Sequence, residues 1–351
     1  MRKKKRGLHI THNDADAIGC ALVASIYEKN IEFDTKFCSI GTQNKTLNDM
    51  LDFYNATGAR PCKIIISDIS LDDETCERLN TFCVDNNIPV IGFDHHITNK
   101  LNDKYSWFKV STNLQLVNKN GYTMREYLSA AKIMYNYYNE LKSHMRVSSK
   151  FEYLIDMISR YDTWTWKNYP LIDYYKNKYY DGYDEDIIAE ISRFLGIDKT
   201  YHILLSHYKK MFVTHILPNN FKFLYYTLLN KRDKSIECNM KYVKLVNNFD
   251  NSGKTVAIYV SSNDFSNAIA NYVYSNYPDI DYVIILYVES NRIGFRSAED
   301  KDDVSVLAKQ YNGGGHPHAS GATVSDDVML NLLHMYYKSD ISLEEINQTV
   351  S

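Results

Sequence analysis

The chain is 351 residues long, with a formal net charge of −3, 24% charged residues and only 14 Gly and 6 Pro. That is chain enough for about two domains with a sizeable core, and the composition excludes collagen-like, low-complexity and strongly self-repelling chains. The near balance of charge also argues against a protein that coats long nucleic acid by neutralising phosphates. No apolar run approaches the ~18–20 residues of a membrane span. The start, Met-Arg-Lys-Lys-Lys-Arg, leads into a strand-like run without a signal-peptide apolar region. A soluble, cytoplasmic protein without a membrane partner is expected.

Six cysteines, at 20, 38, 62, 76, 83 and 238, form no C-x-x-C pair. They read as reduced thiols, not as a zinc or redox site. Thirty tyrosines are spread along the whole chain. Codon bias in an AT-rich genome accounts for them, since so dispersed a set cannot line one groove for base stacking. The basic residues 2–6 read as a solvated terminus.

In chain order, Gly7 to Thr11 is a short strand, and Ile18, Ala21, Leu22, Val23 and Ile26 recur at helical spacing. Lys63 to Ser67, centred on Ile64-Ile65-Ile66, predicts a strand buried on both faces. Asp72 and Asp73 then offer an N-cap and an acidic first turn to a helix ending near Asp85. Pro89 to Phe93 is the next strand. Strand–helix–strand–helix–strand implies parallel pairing through right-handed crossovers. Helices are expected over Tyr127–Leu141 and Phe151–Arg160, and 184–230 is mostly helical around Pro218-Asn219-Asn220. A second α/β unit begins near residue 240, with strands at Thr255–Val260, Tyr282–Val288 and Arg292–Phe295 and a helix at Asn267–Tyr277. The fold class is α/β: a parallel-sheet domain over 1–190, a helical connector over 191–239 and a smaller α/β domain over 240–345.

Every strand expected in the first unit is followed at once by acids or histidines: His12, Asp14 and Asp16 after the first, Asp68 after the second, Asp94, His95 and His96 after the third. The carboxyl ends of parallel strands line one crevice, so three segments converge on one pocket. Singly, these residues have ordinary explanations as a core histidine, a helix cap or a loop start. Recurrence at three successive strand ends does not. Converging carboxylates repel one another and lose hydration, a conflict that divalent cations remove; oxygen and imidazole donors suit Mn²⁺ or a similar first-row ion. Asp68, central and alone on its strand end, is the candidate bridge between two ions.

These three segments resemble motifs I to III of the DHH phosphoesterase superfamily, named for a triplet such as Asp94-His95-His96. Ser-Arg-Tyr-Asp-Thr-Trp-Thr-Trp at 159–166 resembles the fourth motif, and Asn312-Gly-Gly-Gly-His-Pro-His-Ala-Ser-Gly321 resembles the signature of the associated DHHA1 domain. Order and spacing agree over roughly residues 8–325, and the wording of motifs I and IV is similar to the nanoRNase-B type of oligoribonuclease. His12 stands two residues before Asp14 where many members have four, Ala17 replaces a frequent Gly, and Asn312 stands where a fourth Gly is common.

The resemblance implies two Mn²⁺ ions, one held by His12, Asp14 and Asp68, the other by Asp16, Asp68, His95 and Asp162. Asp94 would orient a histidine, and His96 would sit at the scissile phosphate. In the second domain, Gly313, Gly314, Gly315 and His316 would form an anion-binding loop, with Arg296 gripping a phosphate and a cleft between the domains measuring substrate length. His318 has no assigned role. The implied activity is hydrolysis of very short single-stranded RNA to nucleoside monophosphates, and a homodimer is compatible with it. Cyclic dinucleotides, 3′-phosphoadenosine phosphate and longer single strands are the alternative substrates, and a non-catalytic nucleotide-binding module is the reading from another class.

Overall fold

A computed structural model describes residues 4–39, 41–96, 99, 104–110, 115–119, 122–145, 147–163, 165, 186–210, 213–249, 253–261, 265–298 and 301–339; over 115–119, 122–126, 248–249 and at His316 it gives the backbone alone. Arg2, Lys3, Trp164, Trp166 and positions 340–345 lie outside the described residues. The chain divides into two compact units, Met1–Tyr225 and Tyr226–Ser351.

The first unit is built on five parallel strands, β1 (Lys5–His12), β2 (Ile31–Cys38), β3 (Ile64–Ser67), β4 (Val90–Asp94) and β5 (Phe108–Val110), in the order β2-β1-β3-β4-β5. Crossover helices α1 (Ala15–Tyr27), α2 (Gln43–Thr57) and α3 (Asp73–Asp85) join the first four. Ile64, Ile65 and Ile66 are fully buried, as a β-branched run in a central parallel strand must be. α3 starts where Asp72 accepts a hydrogen bond from Thr75 N at 2.8 Å, the cap expected from sequence.

β2 and α2 are additions to the expected pattern. β2 is an edge strand in which apolar and charged residues alternate, Ile-Glu-Phe-Asp-Thr-Lys-Phe-Cys, with most positions half-buried. α2 buries only Leu47, Leu51 and Tyr54. Ser39, not an acid, follows β2, so acids and histidines follow three neighbouring strands and not every strand of the sheet.

A hairpin of β6 (Gln115–Lys119) and β7 (Tyr122–Glu126) precedes α4 (Ala130–Leu141), α5 (Ser149–Asp162), α6 (Ile187–Leu195) and α7 (Ile197–Tyr208). α1 is buried nearly all round, since it packs on β1 and β2 and also on α4, α5 and α7. α6 and α7 pack on one another and on α1, within the first unit. Gly19 permits the close approach of α4: a Cβ there would stand 2.7 Å from the Ala131 Cβ.

α8 (Asn219–Met240), opening directly after Pro218, spans the boundary between the units. The second unit holds a six-stranded mixed sheet, β12-β13-β11-β10-β9-β8, made of β8 (Lys244–Phe249), β9 (Lys254–Val260), β10 (Tyr282–Tyr287), β11 (Arg292–Arg296), β12 (Gly314–His316) and β13 (Ala319–Thr323). Only β9 and β10 run parallel, joined by α9 (Ser266–Asn276) on one face. On the other face Val304 and Ala308 of α10 (Val304–Gln310) and Met329, Leu332 and Tyr336 of α11 (Asp326–Lys338) complete a second apolar layer. No helix among the described residues is long and apolar enough to cross a membrane.

Gly19→Val should force α4 off α1 and cost about 1–3 kcal/mol, the usual penalty of overpacking. Denaturant unfolding of the two proteins checks it.

Candidate metal and phosphoryl-transfer site

Thr11, Ser67 and Phe93 stand in register across β1, β3 and β4. The residues that follow them, His12, Asp68 and Asp94, therefore lie in one row at the carboxyl edge of the sheet. Strand order reverses between β1 and β3, the place where a parallel sheet opens a crevice. Asp68 is held there in the left-handed region, at φ 56°, with its N–H donated to Phe93 O at 2.9 Å. A non-glycine residue so placed costs about 1–3 kcal/mol and persists only where its surroundings demand it.

The other acids arrive on helix ends. Asp14 Oδ1 caps α1 by accepting from Ala17 N at 2.9 Å, and its Oδ2 accepts from His12 Nδ1 at 2.7 Å. Cap and cluster roles, alternatives in the sequence, belong to one residue. Asp16 is 1% exposed and accepts from Ala131 N at 3.2 and 3.4 Å, in the first turn of α4. Asp162 is the last residue of α5, and its Oδ2 lies 3.3 Å from His95 Nε2. His95 Nε2 is also 3.4 Å from Asp68 Oδ1, while Asp68 Oδ2 lies 3.8 Å from His12 Nδ1. The two oxygens of Asp68 thus face two different sets of donors.

Among the described residues, three sets of donor atoms each fall within 4.8 Å of one another: His12, Asp14 and Asp68; Asp16, His95 and Asp162; Asp68, Asp94, His95 and His96. Donors bound at ~2.1 Å in neighbouring octahedral positions are ~3 Å apart, so this spacing suits an ion between them. Asp68 Oδ2 and Asp162 Oδ2 are buried and accept no hydrogen bond from the described residues, a costly state for carboxylates unless a cation meets them. The donor set fits a divalent cation. Asp94 differs, because protein donors occupy both of its oxygens. Oδ1 accepts from His95 N at 2.8 Å, His96 N at 3.4 Å and His96 Nδ1 at 2.7 Å, and Oδ2 accepts from Asn99 Nδ2 at 2.5 Å and Ser70 Oγ at 3.5 Å.

Electrostatics separates these acids. Burial and the charge of Asp14 push Asp16 up to about 7. Burial, followed by the charges of neighbouring aspartates, drives Asp68 and Asp162 well above the carboxylate range. Burial also works against ionised Asp14 and Asp94, but hydrogen bonds and charge from His12 and His96 respectively hold both below it. His12 and His96 are raised in return, despite their burial. Without a cation, the site holds protons that it would release on binding one.

The expected residues of the second unit are placed separately. Arg296, at the end of β11, donates from Nε to Asn267 Oδ1 at 3.1 Å and from Nη1 to the carbonyls of Phe295 and Ser320 at 2.7 and 3.2 Å. No carboxylate among the described residues forms an ion pair with it. Gly314 to His316 form β12, paired with β13, where sequence suggested a loop. Gly313 and Gly315 are needed for that pairing: a Cβ on the first would collide with Gly321 O, one on the second would lie 2.7 Å from Ala319 O, and Gly315 has φ 138°. His318 Nδ1 lies 3.1 Å from Ser297 Oγ. Sequence reasoning passed over Ser70, Asn99 and the Ala131 N–H, because a lone hydroxyl, an amide in a loop and a backbone donor carry no pattern of their own.

No family model matches the chain. It is 26% identical over 330 residues to "Oligoribonuclease NrnB" of Bacillus subtilis (strain 168), a match covering 91% of this chain and 73% of that protein. It is 20% identical over 353 residues to a "3',5'-cyclic-nucleotide phosphodiesterase" of Helicobacter pylori, covering 90% and 92%. RecJ from Thermus thermophilus, solved with Mn²⁺, superposes at a TM-score of 0.57 and 9% identity over 96% of this chain and 52% of its own. An exonuclease RecJ bound to manganese gives 0.57 at 11% identity, over 96% and 90%. The RecJ matches establish the fold. In sequence along nearly its whole length, and in fold, the chain is similar to the DHH phosphoesterases.

Because the folded protein holds Asp16 near 7 against 3.8 unfolded, the contribution of this group to stability is full below about pH 4 and is lost as pH rises through about 7. In chelator, wild-type Tm should therefore fall more steeply between about pH 4 and 7 than that of Asp16→Asn, and Mn²⁺ should abolish the difference in slope. Scanning fluorimetry of both proteins decides it.

Proposed function

We propose that this chain is a divalent-metal-dependent phosphodiesterase that releases nucleoside monophosphates from very short RNA. One observation carries the reading: four aspartates and two histidines from four segments converge on one strand edge, and two of the buried carboxylate oxygens accept no hydrogen bond from the described residues. His12, Asp14 and Asp68 would hold one ion and Asp16, Asp68, His95 and Asp162 the other, with Mn²⁺ favoured by the mixed oxygen and imidazole set. Divalent cations bound there supply an ionised water and offset charge on phosphoryl oxygens.

The remaining chemistry belongs to side chains. Asp94 accepts the Nδ1–H of His96, which leaves Nε2 as the ring atom at which a proton passes to the phosphoryl or leaving oxygen. Burial works against a charged His96 ring, but the hydrogen bond and charge of Asp94 raise its pKa nonetheless. Arg296, already braced by two carbonyls and Asn267, would bind a substrate phosphate, and exposed Gly314 on β12 lies in the segment that would meet the same chain.

The named activities of the two curated relatives, an oligoribonuclease and a cyclic-nucleotide phosphodiesterase, support a phosphodiester substrate and supply two readings of it. A panel of 2- to 5-nucleotide RNAs beside cyclic dinucleotides, 3′,5′-cyclic mononucleotides and 3′-phosphoadenosine phosphate, assayed with Mn²⁺ and then chelator, tests both. Preference for a cyclic mononucleotide would move the assignment to the second, and no turnover of any member would remove it.

Asp68→Asn should lower kcat by more than about 100-fold, beyond what loss of an outer partner of a metal ligand costs. Arg296→Ala should raise KM by about 10-fold or more with little change in kcat, as loss of a charged hydrogen bond made equally in ground and transition states does. Steady-state kinetics on the preferred trinucleotide measures both.

A further inference from the structure

We propose that Asn99 is a positioning residue for the proton-handling imidazole, fixing His96 in one tautomer and one orientation through the carboxylate of Asp94. The role of His96 rests on the function proposed above; the positioning itself rests on hydrogen bonds. Asp94 ends β4 and is fully buried, so both oxygens need donors once it is ionised. Oδ1 serves the two backbone N–H groups and the ring of the His-His pair. Oδ2 depends on Asn99 at 2.5 Å, because the second donor, Ser70 Oγ, is at the 3.5 Å limit of a hydrogen bond.

Asn99 is itself held. It is 6% exposed, and its N–H donates to His96 O at 3.0 Å. It therefore grips the segment twice, by the backbone at the His96 carbonyl and by the side chain at the partner of the His96 ring. With Oδ2 anchored, the carboxylate plane cannot swivel, and Oδ1 stays 2.7 Å from His96 Nδ1. A carboxylate accepts only, so the ring nitrogen facing it carries the proton. The chemistry demands an amide here. Aspartate would set a second carboxylate against Asp94, and an isosteric leucine would leave Oδ2 to the distant Ser70 hydroxyl.

Three measurements test this. Asn99→Leu should lower kcat by about 10- to 100-fold with KM within about twofold, the usual effect of removing an outer partner, and Asn99→Ser, smaller and polar, should fall between it and wild type. In a His96→Gln background Asn99→Leu should change kcat less than about twofold, since two residues acting as one unit are not additive; full multiplication of the two effects would overturn the proposal. Long-range ¹H–¹⁵N spectra of Mg²⁺-loaded protein, recorded at a pH high enough for the ring to be neutral, should show His96 with its proton on Nδ1 in wild type and a mixture of tautomers in both Asn99 variants. An unchanged ring in folded Asn99→Ser overturns the proposal as well. The spectra need no turnover, so an inactive wild type would count against the proposed function while this arm still decides the role of Asn99.

Discussion

The structure depends on one electrostatic constraint: several aspartates are buried side by side where each discourages ionisation of the next. Asp16, Asp68 and Asp162 are all raised by burial and by neighbouring aspartates, and the oxygens left without donors belong to two of them. Packing of this kind opposes folding when nothing offsets it. The local architecture is arranged around it nonetheless. β1, β3 and β4 end in register, Asp68 is held in the left-handed region, and the ends of α1 and α5 each bring in a further acid. A fold that accepts such strain marks the place where function requires it.

Within that cluster the acids divide into two kinds by what satisfies them. Asp14 and Asp94 are held low by histidines and backbone donors, and Asp94 has both oxygens filled by the protein. Asp68 and Asp162 are left open. The first kind meets donors that the protein itself supplies; the second keeps a buried oxygen that no described residue satisfies. Adjacent aspartates on the same strand edge thus do different work, and the difference lies in their donors, not in their residue type.

Much of this was legible in the sequence because its signals were local. The Ile64-Ile65-Ile66 run announced a buried strand, Asp72 announced a helix start, and the acids after three strands announced a shared crevice through the geometry of parallel sheets. β2 and α2 escaped because an edge strand alternates with charge and a helix burying three residues has a weak apolar stripe. The glycine run was legible as special but not for its local reason: Gly313 and Gly315 are demanded by the backbone of β13, which follows them in the chain, a contact that no window of sequence displays. Asn99 and Ser70 were invisible for a related reason, since hydrogen-bond partners are set by how a turn closes and leave no periodicity behind.

Asp16 does more than sit in the cluster. It receives the Ala131 amide, and α4, which that amide begins, lays Met134, Tyr135 and Tyr138 into the interior against α1 and α5. The carboxylate is therefore a hinge pin between a charged edge and an aromatic interior. A change in its charge bears directly on the donor in the first turn of a helix of twelve residues, the one that carries the aromatic layer behind the rim.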